Sequence, residues 1–382
     1  MNIQDLISRN LIVQTSNQAG IESNKINTFY TGFDPTADSL HVGHLLPLIT
    51  MKRLKLFGAN PIAIIGGATA RVGDPTGRTT TRPILSQQDL DSNINNISNQ
   101  IKSIVDCDII NNKGFVQANF IDFVADIGKH FSVNTMLKTD TFKTKLEHGL
   151  SFLEFSYSLL QANDFLQLSR NNNCFVQMGG NDQWANMIAG IHLIHAKDKK
   201  EAFAFTLPIL EDKHGNKFGK SNGNAIWLDK NKTSVFDFWQ FWRNVSDEDI
   251  KKLFMFFTFM SVEEINNLDF TDINSCKAKL ATLVTEIVHG AEEAKSAEDK
   301  AKELFANRGA NLGEAIQVES GKLLSEIMRE IGATSSRSEA LRLIKNGGVR
   351  VDGAKILVDY VPNQEFIFLE KGKKDKFKVK IG

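Results

Sequence analysis

The 382-residue sequence contains few cysteines and no long apolar run. Its three cysteines, Cys107, Cys174 and Cys276, are widely scattered, which argues against a disulfide framework and for a reducing compartment. The first residues lack the basic-then-apolar pattern of a signal peptide, and no apolar run approaches membrane-spanning length. We therefore expect a cytoplasmic protein without a membrane partner.

An excess of charge of one sign is also missing, since 45 Lys and Arg residues balance 45 Asp and Glu residues. The charge is nevertheless unevenly placed, because residues 321–382 contain 13 basic and 8 acidic side chains. Local basicity is what a nucleic-acid backbone requires, whatever the total charge. A hydrophobic content of 42% is ample for a core, and the length predicts two or three domains.

The most informative segment contains a strand, a turn and a helix start. The run 27–30 fits a short buried strand that is ended by Gly32 and by the Asp34-Pro35 turn. His41 and His44 precede a segment with helical apolar spacing, so both imidazoles lie near a helix N-terminus, which favours bound phosphate. Gly43 between them leaves room for a flat base to stack on the backbone.

The histidine pair alone allows two other interpretations. It is compatible with half of a zinc site, although no cysteine and no acidic ligand at the usual helical spacing lies nearby. It is also compatible with two structural histidines.

A second basic motif lies far downstream, at Lys217-Phe218-Gly219-Lys220-Ser221. Gly219 and Gly223 predict a mobile loop. Two lysines three residues apart can surround a departing pyrophosphate and supply positive charge as negative charge accumulates on it. For the pentapeptide alone, a solvated basic loop is the alternative.

A polar helix face is predicted between these two motifs. Tyr157, Gln161 and Asp164 are spaced i, i+4 and i+7, which places a phenol, an amide and a carboxylate on one side of a helix. Leu159, Leu160 and Phe165 can pack the core while this polar face lines a pocket.

The histidine and lysine motifs, in this order, resemble the His-Ile-Gly-His and Lys-Met-Ser-Lys-Ser signatures of class I aminoacyl-tRNA synthetases. Essentially the whole chain resembles the bacterial tyrosyl-tRNA synthetases, through Gly66-Gly67-Ala68-Thr69, Gly73-Asp74-Pro75, the run 155–165 and Gly179-Gly180-Asn181-Asp182-Gln183-Trp184. The resemblance implies that L-tyrosine reacts with ATP to give tyrosyl-adenylate and pyrophosphate, and is then transferred to the 3′ end of tRNA(Tyr). It also implies Mg2+ bound through the ATP phosphates, with no metal ligands from the protein.

The same resemblance assigns site residues. The implied catalytic residues are His41, His44, Lys217 and Lys220. The implied tyrosine-binding residues are Tyr30, Asp34, Asp74, Tyr157, Gln161, Asp164 and Gln183. The implied ATP-binding residues are Thr31, Thr36, His41, Gly43, His44, Gly180, Asp182, Lys217, Lys220 and Ser221. Arg78 and Arg82 are secondary candidates for contacts with pyrophosphate or the tRNA end.

In this assignment Tyr30 and Asp164 hold the substrate phenol. Phenylalanine would leave both groups unpaired, and tyrosyl enzymes are the established example of rejection by such buried polar groups. Two positions depart from the family pattern. Thr31 stands where the family often has Cys, and Asn163 replaces a common aromatic residue beside the pocket aspartate.

The predicted fold class is α/β. A Rossmann-like parallel-sheet catalytic domain is expected at 1–226, with a helical insert at about 85–149. The resemblance implies that this insert joins two subunits of a homodimer. Phe152 is expected near that interface, although a core position fits the pattern equally. An α-helical domain that contacts the anticodon arm is expected at 227–305, with helices over 235–244, 247–259, 262–268 and 278–305.

A linker at 306–320 and a small basic α+β RNA-binding domain at 321–382 complete the expected architecture. Thr334 to Ala340 read as a capped helix start, Gly347-Gly348 as the helix end, and Val349 as the start of a strand that enters a hairpin. The candidate RNA-binding residues are Arg337, Arg342, Lys345 and Arg350.

Two rival functions remain open at this point. A tryptophanyl enzyme shares the fold and both signatures, but an indole only donates and does not need the Tyr30 and Asp164 pair. A non-catalytic RNA-binding relative of the synthetases would keep the basic C-terminal segment and lose amino-acid activation.

Overall fold

The computed structural model describes residues 1, 3–23, 27–76, 85–115, 119–210, 218–221, 224–310, 315–352, 354–362, 366–372 and 375–382. The chain forms two compact units, Met1–Ala297 and Glu298–Gly382. The predicted boundary near residue 226 falls inside the first unit, so the division into catalytic and helical domains stays a prediction. No helix in the described ranges is both long and apolar enough to cross a membrane.

A sheet of six described strands forms the centre of the first unit. The strands are β1 (Gln14–Thr15), β2 (Thr28–Phe33), β3 (Asn60–Ile65), β4 (Asp108–Asn111), β5 (Val176–Gly180) and β6 (Phe203–Leu207). They lie in the order β1-β6-β5-β2-β3-β4, with β2 to β6 parallel and β1 antiparallel to β6. The inner strands are largely buried, as expected for a parallel sheet.

Helices connect these strands. They are α1 (Gln4–Ser8), α2 (Gln18–Ser23), α3 (Leu45–Leu56), α4 (Gln87–Val105), α5 (Phe120–Asp126), α6 (Val133–Met136), α7 (Asp140–His148), α8 (Phe152–Asn171) and α9 (Trp184–Asp198). Short 3-10 turns lie at Val42–His44, Thr69–Arg71, Asn112–Gly114, Gly128–His130 and Asn181–Gln183. Turns of this kind therefore follow β2, β3, β4 and β5 and bring polar side chains to the carboxyl edge of the sheet.

Two sequence expectations for this sheet need correction. The strand predicted at 27–30 continues to Phe33, because Gly32 still pairs with Ile64 of β3. The segment 85–149, expected to be a helical insert, begins with α4 and with β4, which pairs with β3. β4 is short and lies at the sheet edge, so it lacks the apolar pattern of a buried strand.

The remainder of the first unit is mainly helical. After the pair β7 (Lys220–Ser221) and β8 (Asn224–Ala225) come α10 (Val235–Arg243), a 3-10 turn at Asp247–Asp249, α11 (Ile250–Phe257), α12 (Val262–Asn266), α13 (Ile273–His289) and α14 (Ala291–Ala310). The single helix predicted over 278–305 is wrong. The chain breaks at Gly290, whose φ of +89° lies in the left-handed region that ends helices.

The second unit is a sheet covered on one face by two neighbouring helices. Its elements are β9 (Ile316–Val318), α15 (Leu324–Glu330), α16 (Arg337–Lys345), β10 (Val349–Val351), β11 (Ala354–Ile356), β12 (Phe366–Lys371) and β13 (Asp375–Ile381), in the sheet order β11-β10-β12-β13-β9. The helix start predicted at 334–340 is confirmed, and its cap is Ser336, which accepts a hydrogen bond from the Glu339 amide. The segment 306–320, expected to be a linker, contains β9, which pairs in parallel with β13.

Candidate active site

The chain changes direction across the sheet between β2 and β5. From β2 the order proceeds through β3 to β4 on one side, and from β5 to β6 on the other. In open α/β sheets the crevice at the carboxyl ends of the strands, at such a switch point, is where ligands bind. Tyr30 on β2 and Gly180 at the end of β5 place the predicted site in this crevice.

At the deep end of the crevice, two predicted residues present polar atoms. The Tyr30 hydroxyl and Asp164 Oδ1 are both buried, and neither has a hydrogen-bond partner among the described residues. Asn112 donates to the other carboxylate oxygen, Asp164 Oδ2, over 2.7 Å. An unpaired buried polar atom destabilises the unliganded chain by about 1–3 kcal/mol. A ligand that carries a hydroxyl can pair both atoms.

Burial also changes the ionisation of these two groups. Desolvation raises the pKa of the Asp164 carboxyl well above its usual range, although the Asn112 hydrogen bond acts in the opposite direction. Desolvation and the nearby Asp164 carboxylate raise the pKa of the Tyr30 hydroxyl well above its usual value. Tyr30 therefore keeps its proton and can donate it in a hydrogen bond.

Two further carboxylates lie nearer the mouth of the crevice. Asp34, just after β2, accepts hydrogen bonds from the Tyr157 hydroxyl over 3.2 Å and from Thr69 Oγ1 over 3.1 Å. Asp74 accepts from Gln183 Nε2 over 2.7 Å. Tyr157, Thr69 and Gln183 thus orient two carboxylates that can attract a cation. The structure thus brings together all four of these predicted residues and Thr69, to which the sequence assigned no role.

Helix α8 carries the predicted polar face. A capping box of Ser151 and Glu154 begins the helix, which contains Tyr157, Gln161 and Asp164. Tyr157 and Asp164 are buried and Gln161 is half-buried, as expected if this face lines the crevice.

The departure at Asn163 is accommodated by hydrogen bonds. Asn163 Nδ2 donates to the Phe115 carbonyl over 3.1 Å, and Gln167 Nε2 donates to Asn163 Oδ1 over 3.3 Å. The Asn163 side-chain amide therefore provides a hydrogen bond between α8 and the segment that contains Asn112, in place of aromatic packing.

The histidine motif forms the 3-10 turn that leads into α3. His41 Nδ1 accepts from the Gly43 amide over 3.0 Å, and His44 Nδ1 accepts from the His41 amide over 3.2 Å. The two rings lie 4.1 Å apart. An acceptor role at Nδ1 places the ring proton on Nε2, so each ring presents an N–H donor.

A zinc ion would have to be bound through Nε2 of each ring. Both Nδ1 atoms are occupied by amide hydrogen bonds. Within the described ranges, no group of three or more His, Cys, Asp or Glu side chains is arranged to hold a metal ion.

The lysine motif lies directly against the histidine motif. A Cβ on Gly219 would lie 2.9 Å from the Val42 Cβ, and the Gly219 φ is +82°. The Ile226 amide donates to the Gly219 carbonyl, and the Val42 amide donates to the Ile226 carbonyl, both over 2.9 Å. Two segments that lie far apart in the sequence are thus joined through one short ladder. Lys220 and Ser221 form β7 here, whereas Lys217 lies outside the described residues, as do Arg78 and Arg82.

Phe218 anchors this motif in the helical part of the unit. Its ring centroid lies 5.3 Å from that of Phe241, 5.6 Å from that of Trp242 and 6.3 Å from that of Phe257. Its amide also donates to the Leu210 carbonyl over 2.9 Å. Phe218 therefore connects the lysine motif to α10 and α11.

The predicted ribose end is at the turn after β5. A Cβ on Gly180 would lie 2.6 Å from Asp182 Oδ1, so only glycine allows this carboxylate to fold over the backbone. The Thr31 hydroxyl is buried and lacks a partner in the part of the chain that the structure describes. Thr36 is exposed, and its amide donates to the Asp34 carbonyl over 2.8 Å.

Known proteins of one enzyme family are similar to this chain. Residues 22–306 match the family model described as tRNA synthetases class I (W and Y). The tyrosine–tRNA ligase of Clostridium beijerinckii is 40% identical over a 403-residue alignment that covers 99% of each chain. That of Clostridium kluyveri is 42% identical over 368 residues, covering 91% of this chain and 90% of that protein. The chain belongs to the class I tyrosyl-tRNA synthetases.

A solved structure of this synthetase family supports the fold. A C-terminally truncated mitochondrial tyrosyl-tRNA synthetase from Aspergillus nidulans superposes with a TM-score of 0.71 and 29% identity. The superposition covers 79% of this chain and 94% of the Aspergillus nidulans chain. The α/β architecture predicted from the sequence is confirmed.

The sequence missed three residues of the synthetase site, namely Thr69, Asn112 and Gln177. Asn112 donates to Asp164 Oδ2 and, over 3.2 Å, to Thr69 Oγ1, and it accepts from the Ala68 amide over 2.7 Å. Gln177 is buried opposite Tyr30 on the neighbouring strand. Recognition of β4 would have placed Asn112 at the carboxyl edge of the sheet, but Gln177 gives no comparable signal.

The candidate RNA-binding residues occupy two sides of the second unit. Arg337, Arg342 and Lys345 lie on the exposed side of α16, where Arg337 forms an ion pair with Glu326 at 3.0 Å. Arg350 lies on β10 and is exposed on the sheet face away from the helices.

Proposed function

We propose that this tyrosine–tRNA ligase binds the tyrosine phenol between Tyr30 and Asp164. The supporting observation is that the Tyr30 hydroxyl and Asp164 Oδ1 are both buried and without a partner among the described side chains and backbone groups. A phenol hydroxyl can donate to the carboxylate and accept from Tyr30. An indole N–H only donates, so tryptophan would leave Tyr30 unpaired.

The α-ammonium group of tyrosine is proposed to lie near the mouth of the crevice. Asp34 and Asp74 supply the negative charge, and Tyr157 and Gln183 orient these carboxylates. Gln161, on the same face of α8, supplies an amide acceptor. This placement directs the tyrosine carboxylate toward the histidine motif.

Adenylate formation joins the tyrosine carboxylate to the α-phosphorus of ATP and releases pyrophosphate. The attacking carboxylate is ionised at neutral pH and needs no general base. The protein supplies orientation and positive charge where negative charge develops. His41 and His44 are proposed to donate from Nε2 to phosphate oxygens, and the lysine pair, Lys217 and Lys220, to stabilise the leaving pyrophosphate.

The adenosine portion of ATP is proposed to lie along the carboxyl ends of β2 and β5. Gly43 leaves the backbone open to the base, and Gly180 and Asp182 take the ribose hydroxyls. Thr31, Thr36 and Ser221 provide further hydroxyl contacts. Mg2+ is proposed to enter with the ATP phosphates, because Mg2+ is usually held by substrate phosphates and water rather than by a dedicated cage of protein ligands.

Transfer of tyrosine from the adenylate to the 3′ end of tRNA(Tyr) completes the proposed reaction. Arg78 and Arg82 are proposed near pyrophosphate or the tRNA end. Arg337, Arg342 and Lys345 on α16 are proposed to contact tRNA phosphates, together with Arg350.

All three cysteines are free thiols, which supports a cytoplasmic site of action.

The protein is proposed to act as a homodimer. Exposed apolar side chains are concentrated on α5 to α7 and at the start of α8, where Ile121 is 73% and Phe152 67% exposed. Exposed apolar groups of this extent favour a protein interface, and Phe152 is excluded from the core. We expect Phe152→Asp to shift the chain from dimer to monomer in size-exclusion chromatography with light scattering. A monomeric unmodified chain would contradict the proposal.

The decisive test is amino-acid-dependent exchange of pyrophosphate into ATP. We expect exchange with tyrosine and none with tryptophan for the unmodified chain. Asp164→Ala should abolish tyrosine activation, while Asn163→Ala, on the same helix, should retain it. Exchange with tryptophan alone, exchange with no amino acid, or unchanged discrimination against phenylalanine in Asp164→Ala would refute the assignment.

A further inference from the structure

The second unit presents a sheet face that its helices leave uncovered. Alternate residues of β10, β12 and β13 point toward α15 and α16 and form the core of the unit. The intervening side chains lie on the opposite face, because neighbouring side chains along a strand alternate. This outer face contains Arg350, Lys355, Phe366, Phe368, Lys378 and Lys380.

The outer face is strongly basic. Arg350 and Lys355 are paired in register on β10 and β11, and Lys378 and Lys380 lie on β13. Among the described strand positions of this face, Glu370 is the single carboxylate, and Lys376 binds it at 3.3 Å. The face therefore complements a polyanion rather than a protein surface that carries charges of both signs.

Aromatic rings are interleaved with these cations. Phe366 is 40% exposed, and the ammonium groups of Lys378 and Lys380 lie 5.9 Å and 5.6 Å from its ring centroid. Phe368 is two residues further along the same strand, about 7 Å away. Solvated basic strands do not require aromatic side chains on their outer face, whereas stacking of nucleotide bases does.

We infer that this face binds unpaired nucleotides of the tRNA, with bases stacked on Phe366 and Phe368 and phosphates beside Lys378 and Lys380. The inference rests on the proposed tRNA ligase function. A sheet with exposed aromatic rings can stack two or three bases, and unpaired nucleotides are the ones whose base faces are available. The face lies on the other side of the sheet from Arg342 and Lys345, so it is a second tRNA surface.

The test uses the full chain with two fluorescent RNAs, a tRNA(Tyr) transcript and a single-stranded oligouridylate, followed by anisotropy over a salt series. Phe366→Leu should weaken oligouridylate binding by about 5- to 100-fold, because stacking is lost while apolar character is kept. Phe366→Tyr, which keeps an aromatic ring, should bind the oligouridylate as the unmodified chain does. Lys378→Gln combined with Lys380→Gln should reduce the salt slope by about 1.4. Arg329→Gln is the control on the helix side, because Arg329 is an exposed cation of α15 to which no RNA contact is assigned, and it should leave oligouridylate binding unchanged.

Tyrosine-dependent pyrophosphate exchange needs no tRNA. It therefore tests the ligase function separately from RNA binding by the outer face. We expect all these variants to keep wild-type exchange and thermal stability. If the unmodified chain charges tRNA and the Phe366 and lysine variants bind both RNAs normally, the outer-face inference is overturned while the ligase function stands. Loss with the lysine variant but not with Phe366→Leu overturns the stacking role. Failure of the unmodified chain to exchange or to bind tRNA overturns the proposed function itself.

Discussion

Phe218 is the structural anchor of the lysine motif, and its removal should slow catalysis without weakening tyrosine binding. The residue lies between Lys217 and Lys220 in the sequence, and its ring packs on α10 and α11 through Phe241, Trp242 and Phe257. Phe218→Ala leaves the lysines in the chain but removes the contact that fixes their backbone. We predict a lower kcat for adenylate formation and an unchanged KM for tyrosine.

The size of the effect follows from the ring contacts. An aromatic pair contributes about 0.5–1.5 kcal/mol beyond its area burial, so the pairs made by Phe218 amount to about 1.5–4.5 kcal/mol. Phe218 is only half-buried, and the partner rings still pack on one another at 4.8 Å and 5.4 Å after its removal. The lower half of the range therefore applies. At about 1.4 kcal/mol per tenfold change in rate, kcat should fall by about 10- to 100-fold.

Steady-state pyrophosphate exchange measures both constants. Phe270→Ala is the matched control, because Phe270 is a half-buried ring of the same helical region that contacts Phe254 at 6.3 Å and not the lysine motif. Phe241→Leu, outside the motif, should lower kcat in the same direction by a smaller factor. An unchanged kcat in Phe218→Ala, or an equal effect of Phe270→Ala, would refute the anchoring role.

Two further predictions concern Asp164. Asn112→Ala should raise the KM for tyrosine by about 10- to 100-fold, since it removes a hydrogen bond to a buried charged group worth about 1.5–3 kcal/mol; an effect no larger than that of Asn163→Ala would contradict it. Asp164→Asn should raise the Tm of the unliganded chain at neutral pH while abolishing tyrosine activation. The raised pKa of Asp164 means that the folded state binds this proton more tightly than the unfolded state, so wild-type stability falls as pH rises from about 4 through the folded-state pKa. The Tm advantage should vanish near pH 4 in calorimetry, and a lower Tm for the variant at neutral pH would contradict the prediction.

The sequence predicted those elements whose local signals agree with their tertiary role. The helix after His44, the polar face of α8 and the capped start of α16 all have strong apolar spacing or capping residues, and they form where expected. The contact between the histidine and lysine motifs is different. It depends on a ladder between residues 40–42 and 226–228, and no local pattern specifies that pairing.

The errors have a common physical cause. β4 and β9 are short edge strands, and neither shows a run of buried apolar residues, since β4 has no fully buried residue and β9 has one. Their identity is decided by pairing with β3 and β13, which lie far away in sequence. The missed helix end at Gly290 is a different kind of error, because the sequence contains a local signal for it. A histidine followed by a glycine is a common helix end.

Selectivity and instability have the same origin in this crevice. The Tyr30 hydroxyl and Asp164 Oδ1 are buried without a partner among the residues described, and the carboxylate is further disfavoured by desolvation. A fold optimised for stability alone would replace one of them with an apolar group. A bound phenol hydroxyl relieves both costs at once, whereas a phenylalanine ring relieves neither. The free-energy cost of the two unpaired groups in the unliganded chain is therefore also the source of the affinity difference between tyrosine and phenylalanine. Substitutions that stabilise the empty crevice should reduce the discrimination between the two amino acids by a corresponding free energy.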